Sequence, residues 1–111
     1  MAKLLSGEVG LQIGRRKRRL RLTIGTMMDL EDHFGMGLVP FLTGRFPEFR
    51  LRDLAVLFLA MTGGDFGDDA AVKRAGETIV KAGIADAATA ISKCLELTLS
   101  PPSERAVPGK S

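Results

Sequence analysis

Residues Leu54 to Met61 read LAVLFLAM, eight apolar positions without a break. No other stretch limits the fold so tightly. Leu, Ala and Met favour a helix over a buried strand, and Gly63-Gly64 close it, so the spacing predicts a helix over 51–61 with Asp53 in its first turn. A helix that is apolar on every side must be covered on every side. A chain of 111 residues is one domain on the usual scale, and such a domain can hardly wrap a helix completely. Two outcomes follow. Either this is the central helix of the core, or part of its surface meets a partner chain.

The second constraint lies at Ile24–Val39, IGTMMDLEDHFGMGLV. Thr26 is placed to cap a helix over about 27–34, with its hydroxyl accepting from a free N–H of the first turn. Met27, Leu30 and Phe34 share one face of it, and Gly35 is the natural left-handed stop. Upstream of this hinge the pattern has period two; downstream it is helical. Val9, Leu11 and Ile13 alternate with Gly10, Gln12 and Gly14. Leu20, Leu22 and Ile24 then alternate with Arg19, Arg21 and Thr23. That is a β-hairpin over 8–24 whose apolar face must pack on helices, since a lone hairpin is marginal in water.

The turn between these strands holds Arg15, Arg16, Lys17, Arg18, Arg19 and, just beyond, Arg21. Clustered cations of this kind can contact nucleic acid and release its counterions. The plainer alternative is a solvated hairpin tip whose charges block edge-to-edge pairing. Asp29, Glu31 and Asp32 on the next helix are positioned to neutralise the patch within the fold. On that basis any nucleic-acid binding is expected to be weak, non-specific and lost by physiological salt.

Beyond Gly37 the pattern predicts a short helix over 38–43 with Pro40 in its first turn, then a connector, GRFPEF, held to the core by Phe46 and Phe49. Asp68 or Asp69 is placed to cap a helix over 70–82 with Val72, Ala75, Ile79 and Ala82 as its stripe. Gly83 ends it. A last helix over 84–99 carries Ile84, Ala88, Ile91, Leu95 and Leu99 along one side. The fold class is therefore α+β, mainly α: an N-terminal hairpin packed on a compact bundle of four to five short helices, one domain over 7–99. Residues 1–6 are expected to be a loose end and 100–111 a disordered tail.

Catalytic patterns are missing. His33 and Cys94 are the only histidine and cysteine, and they fall on different elements, so no zinc site of the usual ligand number forms from them. Cys94 reads as a small buried residue and His33 as a partner for a helix C-terminus. Asp29, Glu31 and Asp32 read as a solvated face. The DFGDD loop, Asp65–Asp69, lacks calcium-ligand spacing, and the glycines follow helices where a phosphate loop would precede one. No cofactor, metal or catalytic residue is expected. The lone cysteine fits a reducing cytoplasm, and no apolar run has the length of a membrane span.

The order of elements and several short strings resemble the small tail assembly chaperone family of phages and gene transfer agents. The hairpin ends in Leu20-Arg21-Leu22. The next helix holds Leu30-Glu31 and stops at Gly35, with Gly37-Leu38 following. A later helix opens with Arg52-Asp53. The match covers roughly Gly7 to Leu99. The resemblance implies a cytoplasmic, non-enzymatic protein that keeps the tape measure protein soluble while tail tube subunits polymerise around it, and that self-associates when alone. A surface for such a partner is expected on Leu54, Leu57, Phe58 and Met61, with Phe46 and Phe49 at its rim. The alternatives are a structural tail component retained in the particle and a small nucleic-acid-binding accessory protein that uses Arg15–Arg21.

Overall fold

The computed structural model describes residues 8–100. The loose end expected over 1–6, and all of the tail expected over 100–111 except Ser100, lie outside the described residues. Strands β1 (Val9–Ile13) and β2 (Arg16–Leu20) form an antiparallel hairpin. Five helical segments follow: α1 (Ile24–Phe34), α2 (Leu38–Pro40), α3 (Leu51–Thr62), α4 (Asp69–Ala82) and α5 (Ile84–Leu99). Between α2 and α3 the chain stays wound, first as a π-turn (Phe41–Arg45) and then as a 3-10 turn (Phe46–Glu48). This is the α+β, mainly helical architecture that the patterns predict.

α3 is the centre. Leu54, Ala55, Val56, Leu57, Phe58, Ala60 and Met61 are all buried, and Leu54 and Leu57 have no exposed surface. α4 packs along one side, α5 and the hairpin along others, and α1 also touches it. The Arg21 N–H donates to the Met61 carbonyl at 3.0 Å, which ties the end of β2 to the last turn of α3. Gly63 stops α3 in the left-handed region (φ 83), where a residue with a Cβ is strained. Arg18 reaches over the Phe58 ring, its guanidinium carbon 5.5 Å from the centroid, and closes the remaining flank.

Two boundaries differ from the patterns, each for a local reason. The cap of α1 is Thr23, in extended backbone, and its hydroxyl accepts from the Thr26 N–H at 3.2 Å. The helix thus starts at Ile24, through a glycine that made the first turn look like loop. The hairpin turn is also tighter than the charge pattern suggests. Ile13 pairs with Arg16 across a two-residue loop, Gly14-Arg15, with Gly14 at φ 60. Glycine at the first central position is the mark of a II′ turn, whose twist suits a hairpin. The basic run therefore lies in the second strand, and the chain leaves the sheet after Leu20. Ile24, expected on the hairpin's apolar face, opens α1 instead and is exposed.

Candidate interaction surface

The side chains expected on a contact face sit mostly inside. Leu54, Leu57, Phe58 and Met61 are 0–3% exposed, so the predicted apolar strip along α3 is not on the surface. Four elements cover the helix from different sides, and this is enough even in a small chain. Phe46 is buried as well. Phe49 is the exception. It ends the 3-10 turn at φ 54 and is 54% exposed, with its ring edge-on to Phe46 at 5.7 Å.

An ion pair that the sequence did not announce sets where Phe49 stands. The π-turn aims Arg45 at Asp53 in the first turn of α3. Arg45 Nε donates to Oδ2 at 2.9 Å and Nη2 donates to Oδ1 at 3.0 Å. Asp53 is the one buried charged residue among those described. The Asp53 carboxylate in turn holds the Arg45 guanidinium above its ordinary pKa, chiefly through these hydrogen bonds. The same guanidinium lies 5.2 Å from the Phe34 ring centroid and 5.8 Å from that of Phe41, which stack on each other at 4.2 Å. A bidentate fork between aromatic faces is a site that lysine could not serve.

Apolar surface is left open elsewhere, around the N-terminus of α3 and the α4–α5 corner. One groove, of about 540 Å³, runs between α3 and α4. Leu51, Ala55, Val72, Gly76 and Val80 line it, with Arg52, Lys73, Glu77 and Lys81 along its edges. A second, of about 1050 Å³, lies between the π-turn segment and α5. Leu42, Phe46, Pro47, Phe49, Ile84 and Ala88 line its apolar side, and Thr89, Ser92, Lys93 and Glu96 its polar side. Phe49, Leu51, Val80 and Ile84 are all more than 40% exposed. Val80 and Ile84 flank the sharp α4–α5 joint at Gly83; Ile84, expected on the stripe of the last helix, is exposed because it stands in the first turn, at the joint, beyond the buried part of that face. At the far end of the first groove Asp69 bridges Arg52 at 2.9 Å and Lys73 at 3.2 Å, and these two, Arg52 foremost, lower its pKa.

The residues with potential chemistry are placed apart. Cys94 is fully buried on α5, and burial pushes its thiol up to about 11, far from the range of a nucleophile. His33, in the last turn of α1, is exposed and stands edge-on to Phe34 and Phe66 at 5.2 and 5.4 Å. Glu31 does not neutralise the hairpin. Its carboxylate accepts from the Leu38 N–H at 2.8 Å and so caps α2. Among the described residues no group of histidine, cysteine and carboxylate side chains is arranged to hold a metal, and no helix is long and apolar enough to cross a membrane.

The family described as phage tail tube protein, GTA-gp10, matches residues 6–100. The chain belongs to this family. No curated protein and no solved structure matches it. Membership in the GTA-gp10 family places the chain among tail proteins of phages and gene transfer agents, and the family is one of tail proteins rather than of enzymes. The tail attribution drawn from Leu20-Arg21-Leu22, Leu30-Glu31 and Arg52-Asp53 thus holds. The family's description names the tail tube; chaperone activity is a narrower reading.

Proposed function

We propose that this protein acts during tail assembly as a non-enzymatic chaperone, in the cytoplasm of the producing cell, by covering an apolar helical segment of the tape measure protein. The observation that carries this reading is the pair of open grooves flanked by Phe49, Leu51, Val80 and Ile84. Isolated exposed apolar residues need no explanation, whereas concave apolar surface rimmed by charge is what an amphipathic helix fits. The core beneath is closed, so these grooves can be filled from outside without opening the fold. A tape measure protein is long, helical and apolar, and aggregates unless its stripe is covered. The same grooves are available to a second copy when no client is present, which supports self-association. Leu54, Leu57, Phe58 and Met61 then serve the site only by holding α3 rigid beneath it.

A structural role in the finished tail is the second reading, and the family's own description favours it. The two separate on one experiment. The tagged chain is co-expressed with the tape measure protein, and both the soluble complex and purified particles are assayed for it. A soluble complex, with the chain missing from particles, is expected. Val80→Asp with Ile84→Asp should weaken that complex by about tenfold or more, since charge in an apolar contact is costly to desolvate. Retention in particles at stoichiometric amounts would overturn the chaperone reading.

A further inference from the structure

The hairpin takes no part in the two grooves, and its charges make no ion pair among the described residues. We propose that its outer face, carried by Lys17, Arg19 and Arg21 with Arg15 at the tip, binds the phosphate backbone of a nucleic acid without regard to base sequence. The ion pairs among the described residues are Arg45–Asp53, Arg52–Asp69 and Lys73–Asp69, and none reaches the hairpin. The carboxylates expected to neutralise it do not: Glu31 caps α2, and Asp29 and Asp32 make no ion pair. Arg15, Lys17, Arg19 and Arg21 are all exposed.

The strand geometry orders these cations. Lys17 pairs with Gln12 and Arg19 with Gly10, so both side chains point away from the face that holds Leu11 and Leu20. Alternate residues on an antiparallel strand lie about 6.8 Å apart, comparable with successive phosphates along a nucleic-acid strand. Gly10 has no side chain, and the Lys17 stem occupies the space a Cβ would take, 2.5 Å from its Cε. The platform is anchored from behind by fully buried Leu20 and by the Arg21 N–H bond to Met61.

The same face argues against a protein partner. On the strands its side chains are Gln12, Lys17 and Arg19, with Arg15 and Arg21 at either end, and no apolar or aromatic anchor stands among them. Protein interfaces draw most of their affinity from such anchors at a desolvated centre. Binding to a polyanion needs none, because released counterions supply the driving force. With no ring to stack on a base, nothing here reads sequence.

The test is fluorescence anisotropy with labelled single-stranded RNA, single-stranded DNA and duplex DNA of about 20 nucleotides, between about 50 and 200 mM salt. For four phosphates neutralised, a log–log salt slope of about −3.6 is expected on the duplex and about −2.8 on the single strands. Lys17→Ala and Arg19→Ala should each flatten that slope by about one, while Arg50→Ala, at the other end of α3, leaves it unchanged. Unchanged circular dichroism confirms that the variants are folded. Equal affinity for RNA and DNA identifies the shared phosphate backbone as the ligand. Absence of binding at the lowest salt, slopes indifferent to both hairpin variants, or displacement by polyglutamate at equal charge would each overturn the proposal. The grooves and this face share no residue, so either can fail without the other.

Discussion

α3 and the α4–α5 corner invert each other. α3 is the most apolar stretch of the sequence, yet it leaves little apolar surface for a partner: of its apolar residues only Leu51 at its start is substantially exposed, and Leu59 is half-buried. The corner reads as two ordinary amphipathic helices, yet it leaves Val80 and Ile84 in solvent. The difference teaches where binding surface comes from in a small fold. A continuous apolar run is the part that neighbours have most reason to cover, so its density predicts centrality. A contact surface arises instead from apolar residues off the stripe or at its end, where helix geometry prevents the chain from covering them itself. Gly83, at φ 98, turns the chain so sharply that α5 begins before Val80 and Ile84 can be enclosed.

The largest expected effect tests the inversion directly. Leu57→Asp removes a side chain with no exposed surface and leaves a charge in its place. Truncation there costs about 2–5 kcal/mol, and the buried carboxylate adds several more, about the whole stability of a small domain. The variant should be unfolded by circular dichroism. Val80→Asp, at a position 55% exposed, should change stability by no more than about 0.5 kcal/mol. A folded Leu57→Asp protein, or an unfolded Val80→Asp protein, would break the contrast.

A medium effect is expected where the two regions are joined. Asp53 is the polar exception on α3, and through Arg45 it fixes the turn that presents Phe49 to the second groove. In Asp53→Ala the guanidinium loses both hydrogen bonds. Arg45 keeps 30% side-chain exposure, so water relieves part of the loss, and a destabilisation of about 1–3 kcal/mol follows. Thermal denaturation measures it. Asp53→Asn, which keeps an acceptor, should lose less. If both variants match the parent, the ion pair does not hold the turn.

Much of this fold was legible because its signals are local. Gly35 and Gly63 stop their helices, Asp68 caps α4, and the stripes of α4 and α5 face inward at Val72, Ala75, Ile79, Ala88, Ile91 and Leu95, while Ala82 and Leu99 are half-buried and Ile84 is exposed. What was not legible depended on distance or on one backbone angle. The Arg45–Asp53 pair exists because a π-turn rotates Arg45 towards the next helix, and no periodicity reveals such a turn. The hairpin register hung on Gly14: a tight turn there shifts the basic run from loop into strand. Of the candidate surface, Phe49 was visible as a loop aromatic. Leu51, Val80 and Ile84 were not, because a residue's exposure depends on how far its neighbours reach.

The smallest effect is the sharpest test of the groove, because stability and binding should move in opposite directions. Gly76 lies in the middle of α4, where glycine is destabilising relative to alanine by about 0.5–1 kcal/mol. The fold gives no reason for it. A Cβ built there would meet nothing closer than Leu51 Cγ at 3.8 Å, an ordinary contact. Gly76→Ala should therefore raise the melting temperature by a few degrees, a gain of about 0.5–1 kcal/mol for a domain of this size. The added methyl also fills part of the floor of the groove between α3 and α4, where a partner helix would need close backbone approach. A variant that melts higher and binds the tape measure segment less tightly would show that the missing side chain serves a partner rather than the fold. A variant that melts higher and binds equally well would move the contact away from this groove, towards the one beside Phe49 and Ile84.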